Sequence, residues 1–504
     1  MLRAAAVFSD HMVLQRDKKI CVFGQGESGR TIRVSLGDAQ ASAMCRDGRW
    51  TVYLPEREAG EDLTMEICDG EETVRFADVA VGEVWLAGGQ SNMELELKDA
   101  EGGKEILQSG NYPLIRFYYT PKQAYKGPDF EEIERASCWE RFGEREAAKW
   151  SAVGFYFARE LAQRLQVPVG IVGCNWGGTS ASCWMSREAI LSRQATRSYV
   201  EDYDNSEAVR KSEAEQIKEY QEYQAYQEDW DKRAAAVYEK EPMMAFDKVQ
   251  ELIGPCRYPG PMNCANFTRP AGLYETMLKR VAPYTLKGFI YYQGESDDHR
   301  PQDYYELFTG LIQQWRRDWK DNRLPFLMVQ LPMHRYQHDP DTRSWCIIRE
   351  SQMRAFEMIR NTGIAVAIDC GQFHEIHPKN KKPVGERLAL QALCGVYHVI
   401  PEEEAFGPLY RDFRYHKGGM ELTFDHVGVC FTCPGKKVTG FELAGADGVF
   451  READVVVLEG SRIFLACGEI DEPVMARYLW TNYGEVTLFG ENGLPLAPFR
   501  THAF

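Results

Sequence analysis

The fold is decided by Val81-Gly82-Glu83-Val84-Trp85-Leu86-Ala87-Gly88-Gly89, a run that Gln90-Ser91-Asn92-Met93-Glu94 follows at once. A short apolar run with a single charge predicts a strand that is buried on both faces. The paired glycines end this strand and let the backbone approach a ligand closely. We therefore expect Ser91 to lie at the carboxyl end of a buried strand, at the start of the next helix.

Apolar strands alternate with amphipathic helices on the C-terminal side of this run. The predicted strands are 167–174, 286–292, 325–331 and 363–369, and the predicted helices are 153–165, 274–281, 304–319, 345–359 and 378–396. Alternation over this length requires strand–helix–strand crossovers and gives a mostly parallel sheet that helices cover on both faces. Ligands of such sheets bind at the carboxyl ends of the strands.

The length of 504 residues corresponds to roughly three domains at about 150 residues each. Short alternating stretches with glycine and acidic turns predict an N-terminal β domain over 1–80 and a C-terminal β domain over 405–504. The α/β domain then spans 81–404, with an inserted helix or hairpin at about 205–245. The insertion carries Tyr220, Tyr223 and Tyr226. These tyrosines either pack against the parent domain or face a sugar or a partner.

Composition narrows the function. Apolar residues make up 44% and charged residues 27%, which is ordinary for a globular protein. A formal net charge of −16 disfavours nucleic acid and anionic membranes as partners, because both attract basic surfaces. No run of 18 apolar residues occurs, and the opening segment is too short for a secretion signal, so we expect a cytoplasmic protein that spans no membrane.

The 14 cysteines are scattered through the chain. Those in apolar runs are predicted to be buried thiols, namely Cys21, Cys174, Cys370 and Cys394. Cys430 and Cys433 form a CxxC pair, but no second pair or histidine follows at the spacing of a zinc site. The cysteines therefore predict no metal site.

Three stretches that follow predicted strands carry residues suited to catalysis. Ser91, with Glu94 three residues later, is either a nucleophile at the positive end of a helix dipole or part of a capping box. Gly177 and Gly178 form either a tight turn or a pair of N–H donors to a developing oxyanion. Gln293 is a candidate side-chain donor to the same oxyanion, and Glu295 a candidate acceptor that holds neighbouring loops. For both of them the alternative is ordinary loop hydrogen bonding.

A fourth stretch is His374-Glu375-Ile376-His377-Pro378. Pro378 suits the first position of a helix, which predicts His377 at the N-cap, where the dipole favours the neutral imidazole of a general base. Glu375 or Asp369 could accept a hydrogen bond from the other ring nitrogen and fix the tautomer. The alternative is zinc held by His374 and His377, for which no third ligand is evident.

Further fragments occur in a fixed order along nearly the whole chain. They are FSDHMVLQR at 8–16, GEVWL at 82–86, GQSNM at 89–93, GGT at 177–179, YQGES at 292–296, IHPKNK at 376–381, VG at 384–385, RLA at 387–389, GLP at 493–495 and PFRT at 498–501. With these residues the sequence resembles the sialate O-acetylesterase family of SGNH-type hydrolases.

The resemblance implies an α/β fold, with a flavodoxin-like SGNH hydrolase core of parallel sheet flanked by β-sandwich-like accessory domains. It implies a serine esterase that removes O-acetyl groups from sugars, most directly a sialate O-acetylesterase, without a cofactor. Ser91 matches the nucleophile and His377 the base. The implied oxyanion donors are Ser91, Gly177, Gly178 and Gln293. The implied substrate-binding residues are Gln90, Asn92, Asn175, Trp176 and Glu295.

One departure concerns the acid of the triad. The family usually has Asp before Ile-His-Pro, whereas this chain has Glu375, and His374 stands where other SGNH enzymes carry the acid. The third member is therefore Glu375, Asp369 or a backbone carbonyl.

The expected partner is an O-acetylated mono- or oligosaccharide. Sialate would require an Arg or Lys near Ser91 to pair with its carboxylate, and Arg349 is either that residue or a helix-surface arginine. Acetylated xylo- or manno-oligosaccharides are the alternative substrates. A non-catalytic carbohydrate-binding protein on the same scaffold and a metal-dependent N-deacetylase are the alternative functions. The sequence does not determine the oligomeric state, and a homo-oligomer is one of the possibilities.

Overall fold

A mixed sheet of eleven strands lies at the centre of the computed structural model, which describes residues 1–241, 244–336, 339–434 and 437–502. Two four-stranded sheets and one three-stranded sheet accompany it. Helices pack beside the central strands, so the predicted mixed α/β class is confirmed.

The N-terminal region is a set of short antiparallel strands that lead into one long strand. The strands are β1 (Arg3–Ala4), β2 (Val13–Gln15), β3 (Ile20–Gln25), β4 (Thr31–Leu36), β5 (Ala39–Met44), β6 (Arg49–Leu54), β7 (Gly60–Cys68) and β8 (Thr73–Gly89). The first part of β8 pairs antiparallel with β7 and alternates in burial, whereas its last part is wholly buried. The predicted boundary at residue 80 falls inside this strand, and the division into domains stays a prediction.

The rest of the central sheet is built mainly from parallel strands. These strands are β9 (Ile115–Tyr119), β10 (Trp139–Arg141), β11 (Val169–Asn175), β12 (Gly288–Tyr292), β13 (Phe326–Gln330) and β14 (Thr362–Val366). Their spatial order is β10-β9-β11-β8-β12-β13-β14, and every ladder from β9 to β14 is parallel. Gly89 is level with Asn175 on β11 and with Tyr292 on β12. The carboxyl ends of three adjacent strands therefore meet where the strand order reverses, which is where ligands bind in such sheets.

Fourteen α-helices surround and extend this sheet within the described residues. They are α1 (Ser91–Glu94), α2 (Gly103–Ser109), α3 (Phe130–Arg135), α4 (Glu144–Ala147), α5 (Ala152–Leu165), α6 (Arg187–Leu191), α7 (Arg197–Asn205), α8 (Glu213–Lys240), α9 (Phe246–Ile253), α10 (Lys279–Val281), α11 (Tyr304–Asp318), α12 (Ser344–Met358), α13 (Lys382–Gly395) and α14 (Glu402–Ala405). The predicted helix at 274–281 is a π-helical turn, Tyr274–Leu278, that continues into α10. None of the described helices is long and apolar enough to cross a membrane.

The C-terminal region forms two antiparallel sheets. Its strands are β15 (Leu409–His416), β16 (Gly419–Asp425), β17 (Phe441–Ala444), β18 (Arg451–Glu452), β19 (Asp454–Val457), β20 (Arg462–Ala466), β21 (Met475–Tyr478) and β22 (Phe499–Arg500). Their spatial orders are β15-β16-β20-β19 and β18-β17-β21-β22. The apolar core of these sheets includes Met333, Val366 and Ile368, which lie at and beyond the ends of β13 and β14. The C-terminal region therefore packs directly against the segments that follow two central strands.

The predicted insertion contains the 28-residue helix α8. Ser212 and Glu215 form a capping box at its start. Tyr220 is buried, whereas Tyr223 and Tyr226 are half-buried. Tyr220 contacts Tyr223 with ring centroids 5.6 Å apart, and the Tyr226 hydroxyl donates to the Pro255 carbonyl at 2.7 Å. The packing of this stripe against the parent domain stays a prediction.

The cysteines differ in exposure. Cys21 and Cys174 are buried, as predicted, and burial raises the pKa of the Cys174 thiol to about 12. Cys370 and Cys394 are half-buried, so the prediction of full burial is wrong for both. No three His, Cys, Asp or Glu side chains form a group suited to a metal within the described ranges.

Candidate active site

Ser91 and His377 meet at the carboxyl end of the central strands. Ser91 is the first residue of α1, immediately after β8, and His377 lies on the segment between β14 and α13. The Ser91 Oγ is 2.8 Å from the His377 Nε2. This separation is within the range of a nucleophile and its general base. The fold thus brings together two residues that are 286 positions apart in the chain.

The alternative capping role of Ser91 is wrong. Gln90 is the N-cap of α1, and no side chain caps this end of the helix. The Glu94 carboxylate accepts hydrogen bonds from the backbone N–H of Gly177 and from the Lys122 ammonium. The Ser91 hydroxyl therefore takes no part in a capping box and faces His377.

The predicted position of His377 at a helix N-cap is also wrong. The helix begins at Lys382 with Lys381 as its N-cap, and the proline of its first turn is Pro383. The pKa of His377 is nevertheless lowered, because burial disfavours the charged imidazolium. Lys381 and Lys379 lower it further, while Glu375 raises it. Burial, not a helix dipole, is thus the main cause of a neutral imidazole.

The structure shows a Ser–His dyad without a carboxylate on the second ring nitrogen. The Glu375 carboxylate accepts from the backbone N–H of His377 at 2.7 Å. Asp369 forms a bidentate pair with Arg387, at 2.5 and 2.7 Å. No hydrogen bond to the His377 Nδ1 occurs in the described part of the chain. Of the three candidates for the third member of the triad, Glu375 is the one that affects the pKa of His377. It does so through its negative charge and not through a hydrogen bond to the ring.

His374 does not join His377 in a metal site. Its backbone lies in the left-handed region at φ 66°, and its Nδ1 is 3.1 Å from the Arg335 carbonyl oxygen. This histidine anchors the His377 segment to the segment that follows β13.

Asn92 is a buried connector, not a surface for substrate. Its amide nitrogen donates to Glu295 Oε1 at 2.6 Å and to the Ile376 carbonyl at 2.9 Å, and its amide oxygen accepts from the Lys381 ammonium. Asn92 follows the nucleophile and Ile376 precedes the base, so one side chain ties the two halves of the dyad together. The prediction that Asn92 binds substrate is therefore wrong.

Lys381 is a buried cation beside the dyad that the sequence pattern did not indicate. Its side chain is buried, with the ammonium 5.5 Å from the centre of the Tyr292 ring. Burial lowers its pKa to about 8, against a raising effect from the Glu295 carboxylate. A lysine inside the IHPKNK fragment was the available signal, but only the tertiary structure shows that it is buried.

Glu295 and Gln90 border the space above Ser91. Glu295 is buried, one carboxylate oxygen is bonded to Asn92, and the other has no partner among the described residues. Burial raises the pKa of this carboxyl. The side-chain oxygen of Gln90 accepts from the backbone N–H of Ser296 at 3.1 Å. Gln90 therefore fixes the 294–296 loop beside the nucleophile.

The predicted oxyanion donors divide into two groups. The N–H of Gly177 is bonded to Glu94, and the Gln293 amide donates to Asp297 at 2.6 Å and to the Thr179 carbonyl at 3.2 Å. These two donors are occupied. Gly178, with φ 74°, lines the cavity above Ser91. The Ser91 and Gly178 N–H groups remain as the candidates.

Three more predicted residues support the site from outside the cavity. Asn175 donates to the Ala87 carbonyl at 3.1 Å, and Trp176 stacks on Phe267 with ring centroids 4.7 Å apart. Arg349 is buried on α12, where it donates to the carbonyls of Pro332 and Thr481. Arg349 is thus neither a helix-surface arginine nor a residue of the cavity, and both interpretations of it are wrong.

A cavity of about 900 Å³ opens above the dyad. Ser91, His377, Gly178 and Glu295 line its floor. Its other lining residues include Tyr203, Tyr258, Pro259, Met262, Asp298, His299 and Arg300. Arg300 is paired with Asp202 and donates to the Ser198 hydroxyl at 2.6 Å. The cavity lining therefore combines aromatic and apolar side chains with polar ones.

The chain is similar to known carbohydrate esterases. The family model described as carbohydrate esterase, sialic acid-specific acetylesterase, matches residues 247–394, which include His377. Sialate O-acetylesterase of Mus musculus is 27% identical over 463 residues, which cover 84% of this chain and 79% of the mouse protein. The human sialate O-acetylesterase is 26% identical over 462 residues, covering 84% and 76%.

One solved structure extends this similarity to the fold. A carbohydrate acetylesterase from Xanthomonas citri is similar over the full length of both chains, with a TM-score of 0.79 and 28% identity. The resemblance to the sialate O-acetylesterase family that the sequence predicts is therefore confirmed.

Proposed function

We propose that this chain is a serine esterase that removes O-acetyl groups from sugars, acting as a sialate O-acetylesterase. The observation that carries the proposal is the 2.8 Å contact between Ser91 Oγ and His377 Nε2 on the floor of the cavity. The similarity to sialate O-acetylesterases and to a carbohydrate acetylesterase supports the substrate class.

The first half of the reaction forms an acetyl-enzyme. Ser91 Oγ attacks the acetyl carbonyl carbon while His377 Nε2 takes the hydroxyl proton. The tetrahedral intermediate then expels the sugar oxygen, which receives that proton from His377 and leaves as a free hydroxyl. His377 must be neutral at the start, and its lowered pKa meets this requirement.

The second half regenerates the enzyme. Water attacks the acetyl-serine and transfers a proton to His377, and collapse of the second intermediate returns the proton to Ser91 and releases acetate. The backbone N–H groups of Ser91 and Gly178 are the proposed oxyanion donors. Ser91 is in the first turn of α1, where N–H groups have no partner within the helix. Losing one such donor typically raises the barrier by about 3 to 4 kcal/mol.

We also propose that the central sheet is the flavodoxin-like core of an SGNH hydrolase, with the flanking sheets as accessory β domains. The support is the order β11-β8-β12-β13-β14. Counted along the chain among these five strands, it is the flavodoxin order 2-1-3-4-5. β9 and β10 then extend one edge.

One observation favours a second substrate class. Arg300 is the one arginine among the described residues that line the cavity. Its guanidinium is already paired with the Asp202 carboxylate. A sialate carboxylate would have to displace that acid to gain its own partner. Neutral acetylated xylo- or manno-oligosaccharides need no such cation, so they are the second candidate.

The test replaces the dyad residues one at a time. Ser91→Ala and His377→Ala should each lower acetate release from O-acetyl sialic acids and acetylated oligosaccharides by at least about 10⁴-fold. Ser109→Ala, on the surface of α2, is the matched control and should leave the rate unchanged.

Labelling separates an esterase from a carbohydrate-binding protein. An organophosphate should modify Ser91 stoichiometrically in the unaltered chain and leave the Ser91→Ala variant unlabelled. Acetate release by Ser91→Ala at the rate of the unaltered enzyme would refute the mechanism.

A further inference from the structure

Tyr258 is an exposed aromatic residue beside the reacting groups. It lines the cavity and leaves 49% of its surface exposed. Its hydroxyl lies so close to Gly178 that a Cβ at that glycine would be 1.8 Å away. Gly178 is a proposed oxyanion donor, so Tyr258 is adjacent to the place where the acetyl group reacts. An exposed ring in a cavity beside the reacting groups is placed to contact a bound substrate.

The residues around Tyr258 form an apolar wall. Tyr203 of α7 and Pro259 and Met262 of the following loop line the same cavity. A volume of about 900 Å³ is near the upper end of the roughly 300 to 1,000 Å³ typical of ligand pockets. An acetyl group with one pyranose ring does not fill such a space. The wall therefore lies within reach of a second ring of the same substrate.

The helical insertion holds this wall in place. Trp230 of α8 donates to the Gly254 carbonyl at 2.8 Å, and Tyr226 donates to the Pro255 carbonyl at 2.7 Å. The Arg257 guanidinium lies 3.9 Å from the centre of the Tyr226 ring. Trp230 and Tyr226 of α8 thus hold the loop that leads to Tyr258. A fixed aromatic surface loses little conformational freedom when a ligand binds.

Polar side chains line the same cavity. They include Glu295, Asp298 and His299. Sugar hydroxyls can hydrogen-bond to such groups, and the C–H face of a pyranose ring suits a tyrosine ring.

We propose that the Tyr258 wall is a subsite for a second sugar ring, so that the preferred substrate is an O-acetylated oligosaccharide and not a monosaccharide. The inference rests on the proposed esterase function. The acetylated ring occupies the space above Ser91, and the neighbouring ring stacks on Tyr258, with Tyr203 and Met262 beside it.

The experiment compares matched pairs of esters that differ in ring number. One pair is O-acetyl N-acetylneuraminic acid and O-acetylated sialyllactose, and the other is acetylated methyl xyloside and acetylated xylotriose. The unaltered enzyme should show a higher kcat/KM for the larger member of the pair that it accepts. Tyr258→Ala should lower that preference by about tenfold, chiefly through KM, because the stacking surface is lost.

Three further variants sharpen the result. Tyr258→Phe keeps the ring and should keep the preference, and Tyr203→Ala should reduce it even if Tyr258→Ala folds poorly. Tyr415→Ala removes an exposed tyrosine of β15, away from the cavity, and should change neither rate.

The outcomes distinguish this inference from the proposed function. Equal use of both members of a pair by the unaltered enzyme, or an unchanged preference in Tyr258→Ala and Tyr203→Ala, would overturn the subsite. Absence of acetate release from all four esters would instead overturn the proposed function, and the subsite with it.

Discussion

At the scale of single residues, the charge of His377 is set by burial and by neighbouring charges. Burial and two lysines lower its pKa, and Glu375 raises it. A base must be neutral to accept the Ser91 proton, so activity is lost as the pH falls through this pKa. Because the pKa lies below the ordinary value of about 6.5, the acid limb of the pH profile should also lie below that value.

Glu375→Gln tests whether Glu375 is a triad acid. A glutamine oxygen can still accept the His377 backbone N–H, so the segment should keep its geometry. Loss of the negative charge should lower the pKa of His377 further and move the acid limb of kcat/KM to lower pH. At higher pH most of kcat should remain. A fall on the order of 10⁴-fold, as expected for a true triad acid, would contradict the dyad.

Lys381→Met tests the connector between the two halves of the dyad. The ammonium holds the Asn92 amide, which holds Glu295 and the Ile376 carbonyl. Loss of this cation should lower kcat by about tenfold to hundredfold, through misplacement of His377, with little change in KM. The unaltered enzyme should lose activity above about pH 8, where Lys381 loses its proton, and the variant should lack this alkaline limb.

A nearby exposed lysine provides the control for that experiment. Lys379→Met removes a cation from the same segment without touching Asn92, so kcat and the alkaline limb should persist. An equal loss in both variants would show that the net charge of the segment matters and that the contact with Asn92 does not.

At the scale of elements, the sequence predicts the helices and strands that have a clear apolar pattern of their own. Apolar periodicity located α5 and α11 to within one residue at each end, and apolar runs located β11, β12 and the buried part of β8, whose ends meet near Ser91. The pattern did not locate β9 or the edge strand β10, because the buried Arg116 interrupts the apolar run of β9 and β10 has only three residues, two of them charged. Local pattern carries little information about a strand whose pairing is decided by distant residues.

The start of α13 shows why the ends of some helices and the burial of some site residues could not be predicted from the sequence. Pro378 and Pro383 both suit the first turn of a helix. Tertiary contacts decide between them, because His377 must reach Ser91 and Lys381 must reach Asn92 before the helix begins. In the same way Ser91 and His377 could be named from motifs, but the burial of Asn92, Lys381 and Arg349 depends on segments far apart in the chain.

At the scale of the whole molecule, the regions share cores. One continuous apolar cluster includes residues of the N-terminal strands, such as Leu2 and Val22, together with the central sheet and α13. The C-terminal cluster includes Met333, Val366 and Ile368 from the central part. The N-terminal and C-terminal sheets therefore pack against the part of the chain that carries Ser91 and His377.

The last prediction concerns Asn482, a buried residue that joins the C-terminal region to α12. Its amide oxygen accepts from the Trp345 backbone N–H at 3.1 Å, and its amide nitrogen donates to Asp339 at 2.7 Å. Asn482→Ala should lower the free energy of unfolding by about 1 to 3 kcal/mol, because buried groups lose their partners. In calorimetry the melting temperature should fall by roughly 1 to 3 °C, in one transition, because the regions share cores. Asn111→Ala, at an exposed site, should leave it unchanged. A separate low-temperature transition that moves alone would show instead that the C-terminal region unfolds independently of the active site.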